Sequence, residues 1–178
     1  MSQPAQLLTV GHSTHEIEYF LRLLRSADVE LIADVRRFPG SRRHPHFNAD
    51  ALAGSLDSVG IAYTHLPELG GRRSVQPGAP NDGWEVAGFR GYADHLRTEE
   101  FAAGHTRLID LASKQRTAVM CAEAQPWRCH RRLIADAFTF NGWRVLNLMA
   151  DGRLESHVPP PFASRADDGL PIYRSEAS

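Results

Sequence analysis

Both cysteines of this chain lie in one short segment, which also carries an acid, a histidine and three arginines. The segment covers residues 118–132 and reads AVMCAEAQPWRCHRR. Its pattern predicts a buried strand, a short loop and the first turn of a helix. The N-terminus of a helix presents unpaired backbone N–H groups and a partial positive charge, which bind anions and lower the pKa of a nearby thiol. The segment therefore predicts a site for anion binding and for thiol chemistry.

Each cysteine has a catalytic interpretation and a structural one. Cys129 lies next to His130 and Arg131 at the predicted helix start, and such neighbours favour the nucleophilic thiolate. Cys121 ends a predicted strand, where phosphatase-like and rhodanese-like enzymes place a nucleophile. The compact Cys-x5-Arg loop of those enzymes is absent, because Arg128 is seven residues after Cys121 and no glycine lies between them. Since either cysteine could instead be a small buried hydrophobic residue, both interpretations stay open.

Three further side chains are candidates for catalysis or for its support. Glu123 could act as a general acid or base, because a cleft with apolar walls raises the pKa of a carboxyl group; otherwise it orients an arginine or caps a helix. His12 could polarise a substrate, although its neighbours also suit a strand-to-helix turn. Ser13 fits a helix cap better than a nucleophile, because Ser13 and Glu16 have the spacing of a capping box.

A second set of residues is predicted to bind an anion. Arginine presents a planar fork of donors that matches phosphate and carboxylate, and Arg36, Arg42 and Arg131 are the main candidates. Asp34 is expected to hold Arg36 or a loop N–H in place. The full set of predicted anion-binding residues is Ser13, Asp34, Arg36, Ser41, Arg42, Gly70, Gly71, His130 and Arg131.

Strand and helix patterns alternate along the chain. The predicted strands are 7–10, 31–35, 61–66, 117–121 and 143–148, and apolar residues at helical spacing predict helices after each of the first four. This order indicates an α/β fold, with a single layered domain over residues 1–150 and a mainly parallel sheet of about five strands flanked by helices. Residues 151–178 are expected to form an irregular C-terminal tail that is packed on the surface or partly disordered.

The predicted topology brings the candidate residues together. In an open parallel sheet, ligands bind outside the carboxyl ends of the strands. Those ends carry His12, Asp34 with Arg36, and Cys121 with Glu123. The sequence therefore predicts one cleft lined with arginine and histidine, which suits an anionic ligand.

Two long loops, at 37–47 and 67–88, border the predicted cleft and have the composition of contact surfaces. The glycine pair at 70 and 71 would let the backbone approach a ligand or would form a tight turn. Trp84, Phe89 and Tyr92 could stack on a base, although Phe89 and Tyr92 also fit the core-facing side of a helix.

Composition limits the class of protein. The chain has 178 residues, 42 % of them hydrophobic, and a net charge of −1, so it is not a basic nucleic-acid binder as a whole. It contains no apolar run near the ~20 residues that a membrane helix needs, and its first residues lack the basic start of a secretory signal. We therefore expect a cytoplasmic protein with reduced thiols and no membrane partner.

Five motifs of this sequence resemble the domain-of-unknown-function family 488. They are Gly11-His12-Ser13, Asp34-Val35-Arg36 with Pro39 and Ser41, Gly60-Ile61-Ala62-Tyr63, Leu69-Gly70-Gly71, and Cys121-Ala122-Glu123 with Cys129-His130-Arg131. They occur in order between about residues 10 and 148. The resemblance implies an α/β fold in which these motifs gather in one cleft, and it implies no particular activity.

Three functions follow from these residues. The first is a cleft that binds a phosphate-bearing ligand, either a nucleotide or a nucleic-acid end, with a hydrolase or transferase reaction assisted by a thiol or a carboxylate. The second is a non-catalytic module that binds or senses nucleic acid through the same arginines. The third is a metal-bound or redox-sensing thiol protein, although the cysteine spacing matches no zinc motif. The sequence identifies neither a cofactor nor the oligomeric state, and both are left open.

Overall fold

The computed structural model describes residues 3–78 and 80–175, which fold around a mainly parallel sheet. Its strands are β1 Gln6–Gly11, β2 Leu31–Asp34, β3 Ala62–His65, β4 Thr117–Cys121, β5 Arg144–Leu148 and β6 Leu154–Ser156. Their order is β3-β2-β4-β1-β5-β6. The first five strands run parallel to their neighbours, and β6 pairs antiparallel with β5. The sheet therefore turns the carboxyl ends of β1 to β5 toward one edge.

Five helices cover the two faces of the sheet. They are α1 Ile17–Ser26, α2 Ala49–Asp57, α3 Ala87–His95, α4 Glu99–Lys114 and α5 Arg131–Phe140. Single 3-10 turns lie at Pro45–Phe47, Pro67–Leu69 and Pro126–Arg128. No helix in the described part of the chain combines the length and the apolar composition needed to cross a membrane.

Alternation along the buried strands builds a separate core on each face. Ala118 and Met120 of β4 pack with α1 and α2, whereas Val119 and Cys121 pack with α3, α4 and α5. All five residues of β4 are buried, as expected for a central strand covered on both sides. The predicted α/β class, with its mainly parallel sheet and flanking helices, is confirmed.

The chain after residue 150 carries more regular structure than its sequence indicates. β6 extends the main sheet, and β7 Ala163–Arg165 pairs with β8 Pro171–Tyr173 in a separate hairpin. Each of these strands has only three residues, which is too short for a periodic pattern to show. The end of the predicted tail, residues 176–178, lies outside the described residues, and the division of the chain at residue 150 stays a prediction.

The predicted capping box at the start of α1 is wrong. The helix begins at Ile17 with Glu16 in the capping position, and no side chain caps it. Ser13 instead adopts a φ of +50°. Its N–H donates to the carbonyl of Ala122, which continues the pairing of β1 with β4 into the loops. Backbone pairing between the two loops, rather than a helix cap, therefore sets the conformation of Ser13.

Close packing of the 121–124 loop against β1 makes Gly11 essential to the sheet edge. A Cβ atom at Gly11 would lie 1.8 Å from the carbonyl oxygen of Glu123, so the loop would have to move. We expect Gly11→Ala to lower the free energy of unfolding by about 1–3 kcal/mol, measured by urea denaturation.

Gly54 provides a matched control for that substitution. It lies inside α2, and nothing lies within 4 Å of the position that its Cβ would occupy. Gly54→Ala should therefore stabilise the protein, by about 0.5–1 kcal/mol. Equal effects of the two substitutions would show that the 121–124 loop does not pack as described.

Candidate functional site

A cleft of about 790 Å³ lies at the carboxyl ends of β1, β2 and β4. Its walls are the loops that follow these strands, the segment after Pro67–Leu69 and the residues just before α5. The lining residues are His12, Ser13, Thr14, Arg36, Arg37, Phe38, Gly40, Ser41, His44, Gly71, Arg72, Cys121, Ala122, Glu123, Ala124, Arg128, Cys129 and His130. The predicted cleft at this edge of the sheet is therefore present in the fold.

Arg131 lies beneath the cleft and holds its floor together. The side chain is fully buried, and its guanidinium donates hydrogen bonds to the carbonyl oxygens of Glu123 and Ala124. It also donates to Thr9 Oγ1 at 3.3 Å and to Cys121 Sγ at 2.8 Å. Arg131 forms no salt bridge with a carboxylate among the described residues. The sulfur of Cys121 is thus the ionisable group that can balance this buried charge.

Both thiols contact Arg131, and their surroundings shift their pKa values in opposite directions. Burial by itself would raise the pKa of Cys121, but the interaction with the Cys129 thiol and the charge of Arg131 outweigh it and lower the pKa to about 7. Burial and the adjacent Cys121 raise the pKa of Cys129 well above its usual value. The directions of the two shifts therefore favour Cys121 as the thiolate, whereas the sequence neighbours favour Cys129.

His130 lies beside Cys129 as a neutral ring. Its Nε2 lies 3.2 Å from the carbonyl oxygen of Val35, which can only accept, so Nε2 carries the hydrogen. Nδ1 then accepts from the Cys129 thiol at 3.6 Å. Burial lowers the pKa of His130 to about 4, so the ring is neutral at pH 7 and adds no positive charge beside the thiol.

A buried ion pair fixes Arg36 on the opposite wall. Asp34 is fully buried at the end of β2, and its carboxylate accepts from Arg36 Nε at 2.9 Å and from Arg36 Nη2 at 2.7 Å. Tyr63 donates its hydroxyl to the same carboxylate at 2.6 Å, and burial together with this bond raises the pKa of Tyr63. Asp34 therefore orients Arg36 from behind, as the sequence analysis expected, and does not line the cleft.

His12 lies beside Arg36 as a neutral ring. Its Nδ1 is 2.8 Å from the carbonyl oxygen of Ser13 and therefore carries the hydrogen, which leaves Nε2 to accept from Arg36 Nη1 at 3.4 Å. Burial is the main reason that its pKa falls to about 4, and the charge of Arg36 adds to the effect. The ring also stacks on Phe47, with 4.2 Å between the ring centroids. His12 can thus accept a proton or a hydrogen bond at Nε2 but carries no charge at pH 7.

The structure brings most of the predicted site residues to one surface. His12, Ser13, Arg36, Ser41, Gly71, Cys121, Glu123, Cys129 and His130 all line the cleft. Four predicted residues do not, and they are Asp34, Gly70, Arg42 and Arg131. Arg42 is exposed on the loop after β2, and Gly70 packs against Arg37. Because the Arg131 guanidinium is enclosed by protein acceptors, it positions the cleft floor rather than contacting a ligand.

Several residues of the cleft wall are absent from the predicted site. Arg37 and Phe38 belong to the 37–47 loop and Arg72 to the 67–88 loop, which the sequence predicts only as contact surfaces, and Arg128 lies in the short loop before α5. Conversely, the aromatic residues proposed for base stacking lie elsewhere. Trp84 and Tyr92 are buried in the core, and Phe89 packs against it, so none of the three lines the cleft.

Metal ligands do not converge anywhere in the described ranges 3–78 and 80–175. No group of three or more histidine, cysteine, aspartate or glutamate side chains is arranged there to hold an ion.

Comparison with known proteins identifies the family. Residues 16–138, more than two thirds of the chain, match a family model described as domain of unknown function DUF488. The matched span includes both cysteines and ends before β5, whereas His12 and Ser13 precede it. No curated protein matches the chain, and no solved structure does. The resemblance seen in the sequence is thus confirmed at the level of the family, and the chain belongs to DUF488.

Proposed function

We propose that the cleft binds a phosphate-bearing ligand, a nucleotide or a nucleic-acid end, and that Cys121 attacks it in a hydrolase or transferase reaction. One observation carries this proposal. A thiol whose pKa is lowered to about 7 lines a cleft whose wall contains four arginines and one carboxylate. We place the protein in the cytoplasm, where reducing conditions would keep both thiols free.

The charges of the cleft wall favour an anion. The arginines are Arg36, Arg37, Arg72 and Arg128, and the carboxylate is Glu123. Arg36 is neutralised by Asp34, whereas the other three form no salt bridge within the described part of the chain. A cavity of this size is typical of sites for small organic ligands. Guanidinium groups without a carboxylate partner in such a cavity suit phosphate oxygens.

The chemistry of the proposal starts from the Cys121 thiolate. Its sulfur attacks phosphorus, so that an S–P bond forms while the P–O bond to the leaving group breaks. The leaving oxygen takes a proton from water. The carboxylate of Glu123, the one carboxyl group of the cleft wall, then takes a proton from a water molecule or an acceptor hydroxyl, whose oxygen displaces the thiolate from phosphorus. This gives hydrolysis or transfer and restores the Cys121 thiolate, and Glu123 returns the proton to solvent.

The placement of both thiols on Arg131 favours a second candidate function, redox sensing. The Cys121 thiolate attacks a hydroperoxide, takes one oxygen as a sulfenic acid and releases the alcohol or water. The Cys129 thiol then displaces that oxygen as water and forms a disulfide. In this function the cleft admits the oxidant, and Cys129 resolves the sulfenic acid.

Binding and chemistry are separable by two substitutions. We expect Arg128→Ala to weaken binding of phosphorylated ligands by about tenfold, because it removes one charge-assisted contact. Cys121→Ser should bind the same ligands but turn over no phosphoester. Calorimetry with pyrophosphate and mononucleotides measures binding, and hydrolysis of a panel of phosphoesters measures turnover.

An arginine outside the cleft controls for loss of charge alone. Arg107 is exposed on α4 and does not line the cleft, so Arg107→Ala should bind as the wild type does. Unchanged binding by Arg128→Ala, or full turnover by Cys121→Ser, would contradict the proposed function.

Redox sensing predicts a different product. After treatment with one equivalent of hydroperoxide, intact-mass analysis of the wild-type protein should show the loss of two hydrogens. Neither thiol should then react with an alkylating reagent. In Cys129→Ser the sulfenic acid should persist at residue 121 and react with a dimedone probe. Formation of the sulfenic acid at residue 129, or no reaction of either thiol, would rule out this candidate.

A further inference from the structure

Phe38 is a large aromatic residue exposed on the wall of the cleft. It lies in the loop after β2, and 68 % of its surface is accessible to solvent. The Arg37 guanidinium lies 5.5 Å from the centre of its ring. An exposed ring beside a cationic cleft offers a flat apolar surface to a ligand that also carries negative charge. Nucleobases attached to phosphate have this combination of properties.

A second cavity adjoins the cleft across two of its arginines. It has a volume of about 310 Å³, and its lining shares Arg37 and Arg72 with the cleft. Arg37 Nη1 donates to the carbonyl oxygen of Arg72 at 3.0 Å, so the two residues form one ridge between the cavities. Both are exposed on this ridge.

The acids of the second cavity are occupied by other groups. Glu100 forms a salt bridge with Arg73 at 2.9 Å. Asp94 accepts from the backbone of Gln76 and from the side chain of Asn81. Arg73 and Glu100 balance each other, whereas the donors to Asp94 are neutral, so the remaining charged side chains are Arg37, Arg72 and Asp94. The two arginines outnumber this carboxylate, and the positive charge lies on the ridge. A ligand that extends from the cleft into the second cavity passes these two arginines.

We propose that the ligand is the end of a single-stranded nucleic acid. The terminal phosphate occupies the cleft beside Cys121, a base stacks on Phe38, and the following phosphate lies over Arg37 and Arg72. The placement of the terminal phosphate rests on the proposed function. A duplex is disfavoured because its bases are already stacked and cannot offer a free face to Phe38.

The test compares ligands of different length. Fluorescence anisotropy gives the affinity of a short single-stranded oligonucleotide with a terminal phosphate, a duplex of the same sequence and, by competition, a mononucleotide and pyrophosphate. We expect the single strand to bind at least tenfold more tightly than the mononucleotide, and the duplex to bind more weakly than the single strand.

Three variants of the ridge and the ring identify the contacts. Phe38→Ala should weaken single-strand binding by roughly tenfold and leave pyrophosphate binding unchanged, and Phe38→Leu should recover only part of the loss. Arg72→Ala should remove one phosphate contact, so the slope of log affinity against log salt concentration should become shallower by about one. Arg107→Ala should change neither quantity, because Arg107 lines neither cavity.

The outcomes separate this inference from the proposed function. The single-strand inference is wrong if the mononucleotide binds as tightly as the oligonucleotide and Phe38→Ala does not change the affinity for the single strand. The proposed function would still hold in that case. A duplex that binds as tightly as the single strand would also overturn the single-strand inference. If no phosphorylated ligand binds, pyrophosphate included, both the proposed function and this inference are wrong.

Discussion

The guanidinium of Arg131 is fully buried, and the loop that forms the floor of the cleft folds around it. A buried cation needs both hydrogen-bond acceptors and a balancing charge. Two carbonyl oxygens of the 121–124 loop and the hydroxyl of Thr9 supply the acceptors, and Cys121 supplies the ionisable sulfur. The same contacts join β1, β4 and α5. The arrangement of this end of the sheet and the state of the thiol therefore have one cause.

The ion pair of Asp34 and Arg36 plays a similar part on the other wall. Both residues are buried, and Tyr63 completes the set of donors to the carboxylate. His12 lies beside the pair as a neutral ring, because burial lowers its pKa. The cleft thus has fixed and charge-balanced groups at its base, whereas the rim arginines Arg37, Arg72 and Arg128 form no salt bridge with a carboxylate of the described residues. Buried groups fixed at the base of the cleft, together with arginines at its rim, suit the positioning of an anion over Cys121.

Much of this arrangement is predictable from sequence, because strand periodicity and the parallel-sheet rule need only local patterns. The five strands and the gathering of Cys121, His12 and Arg36 at one edge follow from those two rules. The ranking of the two thiols does not, because it depends on which sulfur the buried guanidinium of Arg131 contacts. Phe38 was missed for a related reason, since its loop has no period and its exposure is a property of the fold.

The central claim is that Cys129 and Arg131 together lower the pKa of Cys121 to about 7, so that a substantial fraction of this thiol is ionised at neutral pH. The most direct test is the rate of alkylation of Cys121 and Cys129, followed separately by peptide mass spectrometry across a range of pH. The structure predicts a midpoint about 7 for Cys121 and a midpoint well above the ordinary value for Cys129. A midpoint for Cys121 at or above the ~8.5 of an unperturbed thiol, or faster alkylation of Cys129 at neutral pH, would contradict the account.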